Sequence, residues 1–302
     1  MKKILRAAVV FTALALLGTG FISCSDGDDS SSDNSGSQNP ATPEKPGDST
    51  PSEYDDSALS AATLWVVGDS TVCDYVKDGK HTDATYFYPR YGYGTQLANN
   101  LSSKITVRNL ALSGRSAKSF LTEENYQTLI AEINEGDFLV IGFGHNDQKS
   151  DDSDRFASAA ESTDTDGSFK NILFNKYVKV AQEKNATPII CSPIVRLSSS
   201  NDYSGSYAHI TASGDYRKAA EELANEKSVQ FVDLTTMTKE KYTELGYDEA
   251  IYFHAMAQGS SSDLPNLKSV DGTHINIYGA KMVSYFFAKT ISQSSCALKP
   301  YV

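Results

Sequence analysis

The chain has 302 residues, of which 40% are hydrophobic and 22% are charged, and its 38 acidic residues outnumber 27 basic ones. The formal net charge of −11 argues against nucleic-acid binding, which needs clustered Lys and Arg to neutralise phosphates. Four cysteines in a chain of this length exclude a small disulfide-stapled fold, and the length allows one or two domains with a sizeable core.

The N-terminal segment has the pattern of an export signal. Its first 23 residues carry three basic side chains and no acid, and the apolar run 7–22 is shorter than the roughly 20 residues that span a bilayer. The run ends in Phe21-Ile22-Ser23-Cys24, which resembles the lipobox of bacterial lipoproteins. The resemblance implies that Cys24 is acylated and anchors an exported protein to a membrane, facing the periplasm or the cell surface. The alternative is an ordinary secretory signal with an incidental cysteine.

Residues 24–62 are rich in Ser, Asp, Pro and Gly. Such a composition lacks the apolar surface that would offset the entropy of ordering, so it predicts a flexible tether. From residue 25 onward this segment carries nine acids and one base. Loss of the signal would remove three positive charges and leave −14, of which −8 belongs to the tether and −6 to residues 63–302.

Short apolar runs alternate with amphipathic stretches from residue 63 to the end of the chain. The runs are mostly continuous and β-branched, as expected for strands buried on both faces. This alternation predicts one domain, residues 63–302, folded as a three-layer α/β/α sandwich around a central parallel sheet of about five strands. The predicted strands are Leu64–Val67, Ile105–Leu110, Phe138–Ile141, Pro188–Cys191 and Val229–Val232, and the predicted helices are Tyr126–Ile133, Phe169–Lys184, Ser213–Lys227 and Tyr278–Ile291.

Polar motifs follow three of these runs, and a fourth precedes the last predicted helix. In folds of this kind ligands bind beyond the C-terminal ends of the strands, so these motifs hold the candidate site residues. They are Gly68-Asp69-Ser70-Thr71, Leu112-Ser113-Gly114-Arg115-Ser116, Gly142-Phe143-Gly144-His145-Asn146-Asp147 and Asp271-Gly272-Thr273-His274.

Each motif offers a group that nucleophilic catalysis uses, and each also has a structural interpretation. Ser70 can present its hydroxyl and N–H to a cleft, or belong to a helix-capping turn. Gly114 lets the backbone approach developing negative charge, or serves a turn that needs a positive φ. The amide of Asn146 can donate to an oxyanion. Asp271 can orient the imidazole of His274, or cap the helix beside a bystander histidine.

Taken together, the four motifs resemble the Ser-Gly-Asn-His hydrolase superfamily, also called GDSL hydrolases, over about residues 63–293. This implies a flavodoxin-like sandwich. Finer details resemble the rhamnogalacturonan acetylesterase branch. The matching stretches are Val67-Gly68-Asp69-Ser70-Thr71-Val72, Asn109-Leu110-Ala111, Gly114-Arg115-Ser116, Gly144-His145-Asn146-Asp147 and Asp271-Gly272-Thr273-His274.

The resemblance implies a serine esterase that removes acetyl groups from plant cell-wall polysaccharide of the rhamnogalacturonan or pectin type. Ser70 would be the nucleophile, His274 the general base and Asp271 the group that orients it. The N–H groups of Ser70 and Gly114 and the Asn146 amide would form the oxyanion hole. The mechanism implies no metal and no organic cofactor. We expect a monomer whose partners are an acetylated polysaccharide or oligosaccharide and, through the lipid anchor only, a membrane.

Three further residues are candidates for substrate contact: His145, Tyr93 and Arg196. His145 adjoins the oxyanion asparagine, and Arg196 ends a stretch that resembles the Thr-Pro-Val segment of the branch. Tyr93 lies in Gly92-Tyr93-Gly94-Thr95, where the branch usually has Gly-Trp-Gly-Gln. Because that segment helps to shape the cleft in the branch, this departure leaves the sugar open.

Other functions fit parts of the pattern. Another esterase of the superfamily, such as an acetylxylan esterase, a lipase or a thioesterase, would keep the same triad. A glycan-binding lipoprotein without activity would suit the tether, but a binder has no need for Ser70, Asn146, Asp271 and His274 together. With Cys24 acylated, three cysteines would remain, and the sequence does not choose a disulfide among Cys73, Cys191 and Cys296.

Overall fold

The computed structural model describes residues 55–76, 86–258 and 265–302, and ten strands lie in these ranges. The strands are β1 (Ala62–Gly68), β2 (Tyr86–Tyr88), β3 (Ile105–Asn109), β4 (Phe138–Gly142), β5 (Thr187–Cys191), β6 (Ile210–Thr211), β7 (Gly214–Asp215), β8 (Gln230–Val232), β9 (His254–Gln258) and β10 (Pro265–Ile275). The α-helices are α1 (Glu124–Glu132), α2 (Phe169–Leu173), α3 (Lys179–Glu183), α4 (Tyr216–Lys227), α5 (Leu234–Leu245), α6 (Tyr247–Ala250) and α7 (Ile277–Ser292).

Five strands form the central sheet in the order β3-β1-β4-β5-β8, and every neighbouring pair is parallel. All five predicted strands are present, and the predicted helices correspond to α1, to α2 and α3 joined by a π-helix, to α4 and to α7. The helix α5 and the small antiparallel sheet β10-β9-β2 were not predicted. The Asp271-Gly272-Thr273-His274 motif, which precedes the last predicted helix, lies within β10 where its register to β9 is irregular.

The central strands are buried on both faces, which explains why their sequences are continuously apolar. Trp65 and Val67 of β1 face one core, with side chains of α1, α2, α3 and α4. Leu64 and Val66 face the other core, with side chains of α7. Alternate residues of a strand point to opposite faces, so two helical layers cover the sheet. This confirms the predicted α/β/α sandwich.

The sheet brings three loops to one edge. Gly68 at the end of β1 lies beside Gly142 of β4, and Val66 lies beside Asn109 at the end of β3. The side-chain amide of Asn109 donates to the carbonyl of Val72, at 2.8 Å. The segments after β1, β3 and β4, which carry three of the polar motifs, therefore leave the sheet together.

The N-terminal predictions fall mostly outside the described residues. The signal segment, Cys24 and the tether up to residue 54 are not described. The end of the predicted tether contacts the domain: Asp56 accepts hydrogen bonds from Ser102 and Ser103, and Ala62 is the first residue of β1. Among the described helices, none combines the length and the apolar character needed to cross a membrane.

The three cysteines of the described part, Cys73, Cys191 and Cys296, are buried and form no disulfide with one another. Burial raises the pKa of the Cys191 thiol to about 12. Cys191 is therefore a small apolar residue of the sheet rather than a nucleophile.

Candidate active site

Ser70 sits in a tight turn directly after β1. The Asp69 side chain accepts hydrogen bonds from the backbone N–H and the hydroxyl of Thr71, both at 2.8 Å, and its carbonyl accepts from Val72 and Cys73. Gly68 has no room for a side chain, because an added Cβ would stand 2.6 Å from the carbonyl oxygen of Gly142. The turn therefore fixes Ser70 at the carboxyl edge of the sheet.

The side chains of Ser70, His274 and Asp271 form a hydrogen-bonded chain. Nε2 of His274 lies 2.9 Å from Oγ of Ser70, and Nδ1 lies 2.7 Å from Oδ2 of Asp271. The other carboxylate oxygen of Asp271 accepts the backbone N–H groups of Thr273 and His274, each at 3.0 Å. The geometry is that of a serine, a base and an orienting carboxylate.

The carboxyl of Asp271 is strongly acidic. Burial opposes its ionisation, but the hydrogen bond and charge of His274 and the bonds from the backbone N–H groups outweigh it and lower the pKa to about 2. An ionised carboxylate only accepts hydrogen bonds, so Nδ1 of His274 carries the proton. Nε2 is then the acceptor that faces the Ser70 hydroxyl.

Hydrogen-bond donors surround the same point. Within the described ranges, neither the N–H of Ser70 nor that of Gly114 donates to another protein atom. Gly114 has a φ of +79°, a conformation that favours glycine. The amide nitrogen of Asn146 donates to the Arg115 carbonyl at 3.0 Å, which leaves its second proton for a ligand.

These groups line one cleft of about 290 Å³. It contains the hydroxyl of Ser70, the imidazole of His274 and, between them, polar side chains only. The lining residues are Ser70, Ser113, Gly114, His145, Asn146, Lys149, Arg196, Thr273 and His274.

Residues 66–281 match the GDSL-like lipase/acylhydrolase family. The chain belongs to this family. It is 30% identical over 241 residues to the rhamnogalacturonan acetylesterase RhgT of Bacillus subtilis, covering 79% of this chain and 93% of that protein. It is also 28% identical over 251 residues to a rhamnogalacturonan acetylesterase of Emericella nidulans, covering 79% and 88%.

Solved structures share the fold of this GDSL-like chain. The YxiM protein of Bacillus subtilis superposes with a TM-score of 0.59 at 21% identity, with 79% of this chain matched to 58% of that one. A catalytic mutant of an acetylxylan esterase from Geobacillus stearothermophilus gives a TM-score of 0.51 at 15% identity, over 76% and 94% of the two chains. The family and the serine site together make this protein a serine carboxylic ester hydrolase.

Of the three residues predicted to contact substrate, two line the cleft of this hydrolase and one does not. His145 and Arg196 face the cleft beside the serine. The prediction for Tyr93 is wrong: its side chain is only 2% exposed and belongs to the core. Its hydroxyl fills the space that a side chain at Gly142 would occupy, so it packs against the sheet.

Three residues at the site were not predicted. The hydroxyl of Tyr75 donates to the Ser70 carbonyl at 3.0 Å, and its ring lies edge-on to His274, with ring centroids 6.4 Å apart. Nδ1 of the buried His254 lies 2.8 Å from the Asp271 carbonyl. Lys149 also lines the cleft. Its position three residues after Asn146 is the sequence signal that could have identified it.

No group of three metal-ligating side chains occurs among residues 55–76, 86–258 and 265–302. The site instead holds buried carboxyls behind the serine. Asp147 is fully buried, its Oδ1 accepts the N–H of Ala117 at 2.8 Å, and its Oδ2 has no partner among the described residues. Burial raises the pKa of Asp147 to about 8, against the opposing effect of that hydrogen bond.

We expect Asp147→Asn to flatten the pH dependence of stability. The pKa of Asp147 is higher in the folded state than in the unfolded state. The stability that the neutral carboxyl contributes is therefore fully present below about pH 4, and it is lost as the pH rises toward about 8. Urea unfolding at about pH 5 and about pH 8 should show a smaller decline in the free energy of unfolding for the variant than for the wild type. Asp151→Asn, at an exposed position, is the control and should follow the wild type. An identical decline in wild type and Asp147→Asn would contradict the buried neutral carboxyl.

Proposed function

We propose that this hydrolase removes acetyl groups from carbohydrate hydroxyls, acting on acetylated plant cell-wall polysaccharide of the rhamnogalacturonan or pectin type. The observation that carries the proposal is the Asp271–His274–Ser70 chain, with contacts of 2.7 and 2.9 Å. Beside it lie the N–H groups of Ser70 and Gly114, which donate to no other atom of the described residues. The names of the two acetylesterase relatives support the substrate class.

In the first half of the proposed reaction, Oγ of Ser70 attacks the carbonyl carbon of the acetyl ester while Nε2 of His274 takes the hydroxyl proton. The negative charge that develops on the carbonyl oxygen is stabilised by the N–H groups of Ser70 and Gly114 and by the Asn146 amide. Asp271 stabilises the imidazolium. When the C–O bond to the sugar breaks, His274 returns the proton to the departing sugar oxygen, which leaves an acetyl-Ser70 ester.

The second half repeats these steps with water. Nε2 of His274 takes a proton from water as its oxygen attacks the acetyl-Ser70 carbonyl, and the same donors hold the oxyanion. Collapse of this intermediate breaks the bond to Oγ, returns the proton to Ser70 and releases acetate. Every step uses groups of the chain and water, so the proposal includes no metal or cofactor.

The lining of the cleft favours a short acyl group over a long one. None of its nine described lining residues is a large apolar side chain, and the cleft measures about 290 Å³. A fatty acyl chain needs an apolar channel to leave water, whereas sugar hydroxyls pair with polar groups. This supports an acetylesterase over the lipase and long-chain thioesterase alternatives.

We expect Ser70→Ala to reduce acetate release by roughly 10³-fold or more, because the acyl-enzyme can no longer form. Acetate released from acetylated pectin and a chromogenic acetyl ester is the measurement, with circular dichroism to verify folding. A fluorophosphonate probe should label the wild type and not the variant. Ser153→Ala, at an exposed position, is the control and should retain activity and labelling. Undiminished activity of folded Ser70→Ala would refute the mechanism.

Asn146→Ala should lower kcat by roughly 10²–10³ and leave KM nearly unchanged, because its contact is made mainly with the oxyanion of the transition state. Steady-state kinetics on one acetyl ester would measure both constants. Asn225→Ala, at an exposed site on α4, is the matched control. A rise in KM at constant kcat would instead place Asn146 in ground-state binding.

We also propose that the protein is exported and anchored through an acylated Cys24, with secretion as the alternative. The basic start, the short apolar run and Phe21-Ile22-Ser23-Cys24 support this proposal. A Cys24→Ser variant expressed in a bacterial host should move from the membrane fraction to the soluble fraction and lose incorporation of a labelled fatty acid. Equal membrane association of both forms would argue against acylation at this position.

A further inference from the structure

The catalytic cleft has a cationic wall. Lys149 and Arg196 both line it beside Ser70, and none of its described lining residues is an acid. Among the described residues, no carboxylate forms an ion pair with either cation. Placing two cations side by side in a partly desolvated cleft is costly unless an anion joins them.

Arg196 is held in place by neutral acceptors. Its guanidinium donates to the carbonyl of Ser206 at 3.0 Å, to Nδ1 of His209 at 3.1 Å and to the carbonyl of His145 at 3.4 Å. These bonds orient the guanidinium and leave its charge uncompensated. The acid whose charge raises the pKa of Arg196 is the buried Asp69, and burial raises the pKa of Asp69 itself.

His209 acts here as a positioning residue. It is buried, has a left-handed φ of 61°, and its Nε2 lies 2.6 Å from the Ile194 carbonyl. Nε2 therefore donates to that carbonyl. The lone pair of Nδ1 accepts hydrogen bonds from Arg196 and from Gln148. Burial lowers the pKa of His209 to about 3, so the ring stays neutral and keeps this acceptor.

The cations near Lys149 affect its pKa more than the acids near it do. Burial lowers its pKa, and the charges of Arg155 and Arg196 lower it further, while Asp152 and Asp151 oppose the shift. The carboxylate of Asp152 is already bound by Arg155, at 2.6 Å. The ammonium group of Lys149 is thus available to a ligand in the cleft.

A neighbouring depression shows the opposite arrangement. It measures about 410 Å³ and shares Gly114 with the cleft, but its lining includes acids as well as arginines. There Arg115 pairs with Glu123 and Arg155 pairs with Asp152. Of these two depressions, only the cleft that faces the serine has cations without a carboxylate ion pair among the described residues.

We propose that Lys149 and Arg196 form a carboxylate-binding subsite that takes the uronic-acid unit of an acetylated acidic saccharide and sets its acetyl ester against Ser70. A guanidinium and an ammonium group are the side chains that bind carboxylates by charge-assisted hydrogen bonds. Uronic acids, the acidic units of pectin-type polysaccharide, carry that group. The inference rests on the proposed acetylesterase function and makes Lys149 a specificity-determining residue.

The test compares two forms of one substrate. Acetylated oligogalacturonide and the same material after methyl esterification differ only at the carboxylates, where a neutral methyl ester replaces each charge, and released acetate is measured for both. A neutral chromogenic acetyl ester reports the esterase chemistry separately. We expect the wild type to have the higher kcat/KM on the acidic form and to lose this preference as salt screens the charges.

Lys149→Gln should lower kcat/KM on the acidic form roughly three- to tenfold. This range lies between the typical loss from removing an exposed ion pair and the typical loss from removing a charge-assisted hydrogen bond. The substitution should act mainly through KM, and the loss on the acidic form should exceed any loss on the esterified form and on the chromogenic ester. Arg196→Lys should retain more of the preference than Arg196→Gln. Lys239→Gln, an exposed lysine of α5, is the control and should match the wild type.

Two results would contradict the proposal that Lys149 and Arg196 bind a carboxylate. One is a wild type that hydrolyses both saccharide forms equally. The other is a Lys149→Gln variant that loses activity equally on all three esters, which would assign the cation to general stabilisation of the oxyanion. Failure of the wild type on the chromogenic ester as well would instead count against the acetylesterase function itself.

Discussion

The contact between Ser70 and His274 joins residues that are 204 positions apart, and it depends on how β10 and α7 pack on the sheet. Val283 and Phe287 of α7 lie in the same core as Leu64 and Val66 of β1, the strand that ends at the serine. The side chain of Asn276 caps α7 by accepting the N–H groups of Tyr278 and Gly279. One hydrophobic interface therefore sets the distance between nucleophile and base.

The same asparagine links this helix to the orienting carboxylate. Its amide donates to the carbonyls of Tyr252 and His254, each at 2.9 Å, and the ring of His254 contacts the Asp271 carbonyl. Burial lowers the pKa of His254 to about 4, so the ring is neutral at physiological pH. Burial likewise lowers the pKa values of His145 and His209. Of the described histidines, His274 alone pairs with a carboxylate and contacts the serine, which is what a catalytic base requires.

The sequence predicted the sheet well because a strand buried on both faces has a continuous apolar run, as Leu64–Val67 shows. The triad could be predicted because its members occur in short motifs that together resemble those of a known hydrolase superfamily. Tyr93 was misplaced because a motif position does not reveal on which side of the backbone a ring packs. The helix α5 was missed because its sequence, with four threonines, has a weak apolar stripe. Lys149 was missed because a single lysine in a polar loop is usually solvated, and only the folded loop places it beside Arg196.

The charge of the cleft is opposite to that of the chain, and this limits how an acidic substrate is recognised. The net charge is −11 overall and −6 for residues 63–302, so the long-range field of the protein does not attract a polyanion. At physiological ionic strength exposed charges are screened beyond about 8 Å, whereas Lys149 and Arg196 act on groups inside the cleft. For the proposed acidic saccharide, electrostatic recognition is then confined to the sugar units that reach the serine. The acidic surface and the cationic cleft are compatible because they act at different stages. The net charge of the protein affects the encounter with a substrate, whereas the cations of the cleft affect the geometry of the bound substrate.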